Sequence, residues 1–501
     1  MSPDIFLLWI PDKSCYCNFF RDDGLEIMII ITEYKNQNIG VFGLGKAGSA
    51  TVASLAAGGA QVFAWDDKAV DSRQWTVDTK INELVHRPPS TVHYREWPWP
   101  QLKALILAPG VPLTHPAPHP VVVLAREHHV PVIGDIELLQ RAQPEARYIA
   151  ITGTNGKSTT TALIGHILKE AGCNVQVGGN IGTAALTLEP LADDGIYVLE
   201  TSSYQLDLLH STRFHVAVFL NITPDHLDRH GSMERYVAAK CHIFDRQQPG
   251  DVAVLAVDDE YTRGIRDSVL RIQGSKIIPV SASEKLDRGI HTVDGFLVDH
   301  YFPESRSLKP ESLLAITSLT GRHNWQNAAA AYAACRASGV APDVIIAAMK
   351  TFPGLRHRLQ LVAEIGGVRF INDSKATNAD ATSNALAPYD SIYWILGGKP
   401  KEGGIVSLAE YFPKIRHAFL IGEAADAFAR TLEGKVPYTH SGTLEAATKQ
   451  AAALAWREKK PQAVVLLSPA CASFDQWKSF EQRGDAFCGY VEALNAAGSH
   501  Q

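Results

Sequence analysis

Short, nearly continuous hydrophobic runs recur along this chain. Each stops at a glycine or a polar turn, and helix-prone stretches separate them. The first are 39–42, 61–65 and 102–107, with a helix expected from the glycine segment after residue 42 through Ala57. A turn-rich stretch at 116–120 follows, then a strand at 130–134 and a helix near 136–141. The pattern resumes at 148–152, 196–199, 215–220 and 251–255. A long alanine-rich segment, 327–335, predicts a close-packed helix after His323. The last set is 368–371, 393–396, 417–421 and 463–467. Runs without polar alternation predict strands covered on both faces, and alternation with helices predicts parallel sheets. The expected fold class is α/β with three domains. They are an N-terminal Rossmann-like domain (38–145), a central P-loop-type α/β domain (146–354) and a C-terminal Rossmann-like domain (355–501). Residues 1–37 read as an extension, whose first 27 positions are either a misassigned translation start or disordered.

At 501 residues a single core is improbable. Hydrophobic residues at 46% and charged ones at 20% are ordinary for a globular chain, and the net charge of −6 gives no basic surplus for nucleic acid. No apolar span is long enough for a membrane helix, so no membrane insertion is expected. The apolar patch near the start has no basic flank or cleavage site and does not read as a secretory signal. The 7 cysteines are scattered, Cys15 and Cys17 form a lone pair without a zinc-spaced partner, and a reducing cytoplasm fits.

Candidate chemistry begins at Gly153-Thr-Asn-Gly-Lys-Ser-Thr159, between a β-branched run and a helix-prone segment. Such a loop aims backbone N–H groups at one point, where the helix N-terminus adds positive potential. Lys157 can reach β/γ-phosphates, and Ser158 or Thr159 can hold Mg²⁺. The common pattern needs a glycine where Ile151 stands, so this is a shortened relative of it. Gly43-Leu-Gly-Lys-Ala-Gly48 also follows a strand and opens a helix, with Asp66 about twenty positions on. Alone it reads as a dinucleotide fingerprint, hence an NAD-dependent oxidoreductase. A helix N-terminus cannot tell the diphosphate of NAD from that of a UDP-sugar, and Asp66 suits either a ribose hydroxyl or a uracil N–H. Glu200 ends a hydrophobic run, where a hard oxygen ligand for Mg²⁺ belongs, although a strand-end glutamate is more often solvated.

Further segments carry a resemblance. They are Leu199-Glu-Thr-Ser-Ser-Tyr-Gln-Leu206, Asn221-Ile-Thr-Pro-Asp-His-Leu-Asp-Arg229, Ala238-Ala-Lys-Cys241, Asn372-Asp-Ser-Lys-Ala-Thr-Asn378 and Leu467-Ser-Pro-Ala-Cys-Ala-Ser-Phe-Asp475. With the phosphate loop, and over residues 38–495, the chain resembles the Mur ligases. The resemblance implies an ATP-dependent amide ligase of cytoplasmic peptidoglycan-precursor synthesis, working through an acyl phosphate. The last two segments point to the member that joins D-glutamate to UDP-MurNAc-L-Ala. Another Mur ligase or a folylpolyglutamate synthase-like enzyme remains the alternative, and a nucleotide-binding regulatory protein is a third class.

The same resemblance assigns roles. Gly153, Thr154, Asn155, Gly156, Lys157, Ser158 and Thr159 hold the ATP phosphates, with His323, Asn324 and Asn327 on the adenine side. Arg358, Asp373 and Lys375 reach ATP and the transferring phosphate. Two Mg²⁺ sites are implied, one at Ser158 and Glu200, the other at His226 and a carbamylated Lys240, with Asp225 supporting His226. Gly45, Lys46, Asp66, Asp67, Lys68, Gly110 and Asn180 face the UDP-sugar. Thr377, Lys401, Ser473 and Phe480 face D-glutamate. Related chains often carry threonine then arginine where Asp67 and Lys68 stand, which removes a bidentate grip. Lys399 competes with Lys401. A monomer is expected.

Overall fold

The computed structural model describes residues 29–67, 89–268, 276–305, 309–400 and 403–498. Lys68, Lys401, Cys15, Cys17 and the leading extension's first 28 residues lie outside them. The described chain divides into two compact units. The first takes residues up to Thr161, Gly172–Leu255 and Asp259–Ile277; the second takes Ala162–Ala171, Ala256–Asp258 and the chain from Ile278.

The first unit opens with a parallel sheet of four strands, β1 (Asn38–Phe42), β2 (Gln61–Trp65), β3 (Leu102–Leu107) and β4 (Val132–Ile133), in the order β2-β1-β3-β4. Gly48 lets the helix Lys46–Ala57 start tight against β1, because a Cβ there would stand 1.8 Å from the Gly43 carbonyl oxygen. Residues 29–37 correct the expected extension. Ile29, Ile31 and Tyr34 are buried in the core, and the Ile29 N–H donates to the Leu186 carbonyl at 3.0 Å.

Five parallel strands follow, β5 (Arg147–Thr152), β6 (Val175–Gly179), β7 (Ile196–Glu200), β8 (Val216–Phe219) and β9 (Val252–Ala256), in the order β9-β8-β5-β7-β6. The hydrophobic runs that predicted β7, β8 and β9 are buried throughout. Register places Ile151 beside Glu200 and Thr152 beside Phe219. The ends of β5, β7 and β8 therefore lie level, at the edge where open α/β sheets hold ligands.

β10 (Lys276–Ser281), which enters the second unit at Ile278, runs parallel to β11 (Ile290–Val293); β11 pairs antiparallel with β12 (Phe296–Asp299), and β12 antiparallel with β13 (Glu311–Ser312). The alanine-rich helix is Arg322–Ala337. A six-stranded sheet follows, in the order β14-β15-β19-β16-β17-β18. It is built from β14 (Gln360–Ile365), β15 (Val368–Asn372), β16 (Ile392–Gly397), β17 (Ile415–Ile421), β18 (Tyr438–Gly442) and β19 (Val464–Leu467), and only β14 is antiparallel.

One buried carboxylate fastens the two sheets of the first unit. Glu137, on the helix Asp135–Ala142, is wholly buried. It accepts from the backbone N–H groups of His210, Ser211 and Thr212, from the Ser211 and Thr212 hydroxyls, and from Arg141 at 2.9 Å. Burial opposes the charge, but the Ser211 and Thr212 hydroxyls and the backbone donors win and bring its pKa down to about 2. Folding thus favours the ionised form. The stabilisation is complete above the unfolded glutamate pKa and is lost as pH falls from there towards about 2. Glu137→Gln should cost about 3 kcal/mol at neutral pH, seen as a lower urea midpoint. The gap between variant and wild type should narrow as the pH is taken below about 4.5.

Candidate functional site

The phosphate loop takes a shape only glycine tolerates at two positions. Gly153 has φ +147° and Gly156 φ +85°. A Cβ on Gly153 would lie 3.0 Å from that of Leu220 and 3.2 Å from the Asn221 nitrogen. Asn221 follows β8 and grips the loop. Its Oδ1 accepts the Asn155 N–H at 2.8 Å, its Nδ2 donates to the Asn155 carbonyl at 3.2 Å, and its backbone carbonyl accepts the Thr154 N–H at 2.8 Å. The Lys157 ammonium donates back to the Gly153 and Thr154 carbonyls at 3.0 and 2.9 Å. Ser158 is buried at the start of the helix Lys157–Glu170, and Thr159 is half-buried beside it.

Glu200, expected at a solvated strand end if it had no function, is instead 3% exposed. Its Oε1 accepts from Asn180 Nδ2 at 2.8 Å, while Oε2 is buried without a hydrogen-bond partner. An orphaned buried carboxylate oxygen beside a phosphate loop suits a hard cation. Among the described residues no three His, Cys, Asp or Glu side chains cluster at metal-binding spacing. Magnesium does not require such a cage, since one or two protein ligands with water and substrate phosphates suffice. The residues present therefore fit Mg²⁺.

Lys240, on the helix Met233–Cys241, is 2% exposed, which removes the surface-lysine alternative. Its amine donates to the Gly153 carbonyl at 2.9 Å and lies 4.9 Å from the Tyr236 ring centroid. Burial, then the charge of Lys157, drives its pKa well below the usual lysine range, against the pull of Asp225 and Glu200. His226 stands in the left-handed region at φ +53°, with its backbone N–H on the Asp225 carboxylate at 2.9 Å. Burial lowers its pKa. Asp225 opposes this, and Lys157 and Lys240 add to it. A neutral imidazole is the form that binds metal. Lys157, Glu200, His226 and Lys240 thus share one neighbourhood.

The first glycine loop is occupied by its own acid. Asp66 accepts the Leu44 N–H at 2.7 Å. Asp67 accepts from the Trp65 indole at 2.9 Å and pairs with His119 at 3.0 Å, a partner that sequence reading did not supply. Gly45 and Gly110 have open space where a Cβ would stand. The Gly110 carbonyl accepts from Arg229 at 2.9 Å, and Lys46 donates to the Gly182 carbonyl. Asn180, expected on the sugar, donates to Glu200 Oε1 at 2.8 Å.

In the second unit, Asn327 donates to Asn324 Oδ1 at 3.1 Å at the start of the alanine-rich helix, and burial pushes the neighbouring His323 down to about 4. Asp373 is buried and accepts from the Ser468 hydroxyl at 2.8 Å and the Leu359 N–H at 3.2 Å. Burial raises its pKa to about 7, with Arg358 nearby opposing the rise. The Lys375 ammonium sits 3.9 Å from the Phe480 ring centroid. Ser473 is buried, Thr377 half-buried, and Lys399 exposed. The structure adds Arg483, 1% exposed, which donates to the Ser374 hydroxyl and to the Ser374 and Cys471 carbonyls. Its partners are distant in sequence, so residue spacing carried no signal for it.

Strand, glycine loop and helix beside a buried carboxylate define an α/β protein of the phosphate-loop class. Two family models match, the Mur ligase middle domain over residues 151–335 and the Mur ligase glutamate ligase domain over 357–471. The chain belongs to the Mur ligase family. It is 53% identical over 469 residues to the UDP-N-acetylmuramoylalanine–D-glutamate ligase of Rhodospirillum rubrum, covering 93% of this chain and 97% of that one. The protein of the same name from Paramagnetospirillum magneticum is 49% identical, with 94% and 100% covered. In fold the chain resembles the crystal structure of UDP-N-acetylmuramate-alanine ligase MurC from Thermotoga maritima. There the TM-score is 0.56 at 18% identity, with 92% of this chain and 100% of that chain covered. MurF from Acinetobacter baumannii gives 0.53 at 19%, with 71% and 79% covered.

Gly153→Ala should weaken ATP binding by roughly tenfold or more, because alanine at that φ and that distance from Leu220 forces the loop amides out of line. Calorimetric titration of the nucleotide checks this, and circular dichroism should show the fold retained.

Proposed function

We propose that this chain joins the amine of D-glutamate to the carboxyl of UDP-N-acetylmuramoyl-L-alanine at the expense of ATP, in cytoplasmic peptidoglycan-precursor synthesis. The observation that carries the reading is 53% identity over 93% of the chain to a protein named for this reaction. The site supports the chemistry it requires.

An amide does not form from a carboxylate directly, because oxide is too poor a leaving group. The L-alanyl carboxylate attacks the γ-phosphorus of ATP and ADP departs, leaving an acyl phosphate. The unprotonated amine of D-glutamate then attacks the acyl carbon, phosphate leaves, and the amine loses its proton. Phosphoryl transfer of this kind is mainly positioning and charge neutralisation. The loop amides of residues 153–159 and Lys157 hold the triphosphate. Ser158 and Glu200 would hold one magnesium ion, and His226 with a carbamylated Lys240 the second. Magnesium, when bound, neutralises charge on the phosphate oxygens. Arg358, Asp373 and Lys375 serve the nucleotide and the transferring phosphate, with His323, Asn324 and Asn327 on the base.

The carbamate follows from the environment of Lys240. Only a neutral amine attacks the carbon of CO₂, and burial beside Lys157 keeps this amine neutral to lower pH than an ordinary lysine. The product, an N-carboxylate with one proton released, turns a misplaced cation into an oxygen ligand. Lowering the pH protonates the amine and opposes carbamate formation.

We assign the UDP-sugar to residues 38–145 with Asn180, using Gly45, Lys46, Asp66, Asp67, Lys68 and Gly110. Residues 146–354 take ATP, and 355–501 take D-glutamate through Thr377, Lys401, Ser473 and Phe480. The chain works as a monomer. No helix among the described residues is long and apolar enough to cross a membrane.

Phosphate release should require ATP, Mg²⁺, the UDP-sugar and D-glutamate together, without a nicotinamide absorbance change. L-glutamate, L-alanine, L-lysine and diaminopimelate should not replace D-glutamate; turnover with one of them in its place would overturn the assignment. Lys240→Ala should lose about a hundredfold or more in kcat. Added bicarbonate or a short carboxylate should restore part of it, and full activity without such an additive would refute the carbamate.

A further inference from the structure

The metal-facing carboxylate is aimed by a neighbour. Glu200 ends β7, and β6 ends opposite it, with Gly179 and Glu200 in register. Gly179 is left-handed at φ +99°, and a Cβ there would stand 2.4 Å from the Glu200 carbonyl oxygen. The chain turns at once. The Gly179 N–H donates to the Thr183 carbonyl, and the Asn180 N–H donates to the Glu200 carbonyl, both at 2.9 Å. That turn presents the Asn180 amide to the carboxylate, and Nδ2 donates to Oε1 at 2.8 Å. Oε2 keeps no partner although it is buried. The tip of the turn is fastened by Lys46, whose ammonium donates to the Gly182 carbonyl.

We infer that Asn180 is a positioning residue for Glu200: its amide ties up Oε1, fixes the plane of the carboxylate and leaves Oε2 as a single-oxygen ligand for magnesium. Two groups argue for this together. The backbone bond from Asn180 to Glu200 makes the side-chain bond nearly intramolecular, so little freedom is lost in forming it. The orphaned oxygen shows that the carboxylate is held for something other than internal satisfaction. The geometry gives Asn180 a duty separate from any contact with the UDP-sugar. This inference rests on reading Glu200 as the magnesium carboxylate.

The test is a binding measurement on the full chain. A non-hydrolysable ATP analogue is titrated calorimetrically with and without Mg²⁺, with no UDP-sugar and no amino acid present. A residue that served only the sugar would not register. Asn180→Asp places a second acceptor against Oε1, and Asn180→Ala removes the donor. Both should cut the magnesium-dependent gain in nucleotide affinity by about tenfold or more while leaving metal-free affinity within about twofold of wild type. Thermal melts check folding. Asn180 is exposed, so Asn180→Ala decides the matter if Asn180→Asp misfolds. Glu200→Gln in the same assay separates the two readings. If it abolishes the gain and the Asn180 variants keep it, the positioning role is wrong and the metal carboxylate stands. If Glu200→Gln also keeps the gain, the metal reading fails and the positioning role falls with it.

Discussion

Burying the Lys240 amine beside a loop built for phosphate is the constraint on which the site turns. A lysine removed from water and placed near a second ammonium is held towards its neutral form. The surroundings permit this because the neighbours are fixed from several sides. The Gly153 carbonyl accepts from it, the Tyr236 ring packs over it, and Tyr236 is itself hydrogen-bonded to Thr154 at 3.2 Å. The loop carbonyls that accept from Lys240 and Lys157 belong to Gly153 and Thr154, in the same loop that Asn221 grips through the Thr154 and Asn155 N–H groups. Loop shape, lysine burial and the register of β5, β7 and β8 are therefore one arrangement. Displacing any of them moves the others.

The two glycine loops show how equal local physics serves unequal ends. Both follow a strand, both open a helix, and both can meet a diphosphate. They differ in what surrounds them. At the first, Asp66 caps the loop through Leu44 and Asp67 is engaged by Trp65 and His119, a setting of exposed hydrogen-bonding groups suited to recognition. At the second, the neighbours are a buried carboxylate, a buried amine and a low-pKa imidazole, a setting suited to charge transfer. Read without its companion, the first motif leads to a dehydrogenase.

Much of the fold was legible because its central strands are hydrophobic on both faces. β2 and β3 were read to the residue, and β7, β8, β16 and β19 to within a position or so at each end. Several strands escaped, β10 to β13 among them, and three of the others have little to announce them. β6 ends in two glycines, β18 is the polar run Tyr438–Gly442, and β14 alternates on one half-buried edge. Residues 29–37 escaped because the run Ile29-Ile30-Ile31 is short and only packing makes Ile29, Ile31 and Tyr34 core. The site divides in the same way. The phosphate loop is contiguous, so spacing reveals it. The burial of Glu200 and Lys240, the grip of Asn221 on Asn155, and Arg483 behind Ser374 arise from pairing between distant segments, which residue spacing does not encode.

Two glutamates on this chain make the distinction between stability and function concrete. Glu137 and Glu200 are both buried carboxylates at the junction of helices and strand ends. Glu137 has every lone-pair direction met by hydroxyls, backbone N–H groups and Arg141, so folding favours its charge and nothing remains to offer a ligand. Glu200 has one oxygen met and one not. An unsatisfied buried acceptor costs about 1–3 kcal/mol, more when charged, and a chain retains such a cost where a bound group later removes it. Burial alone does not mark a functional acid. Burial with an oxygen left over, next to a loop shaped for phosphate, does.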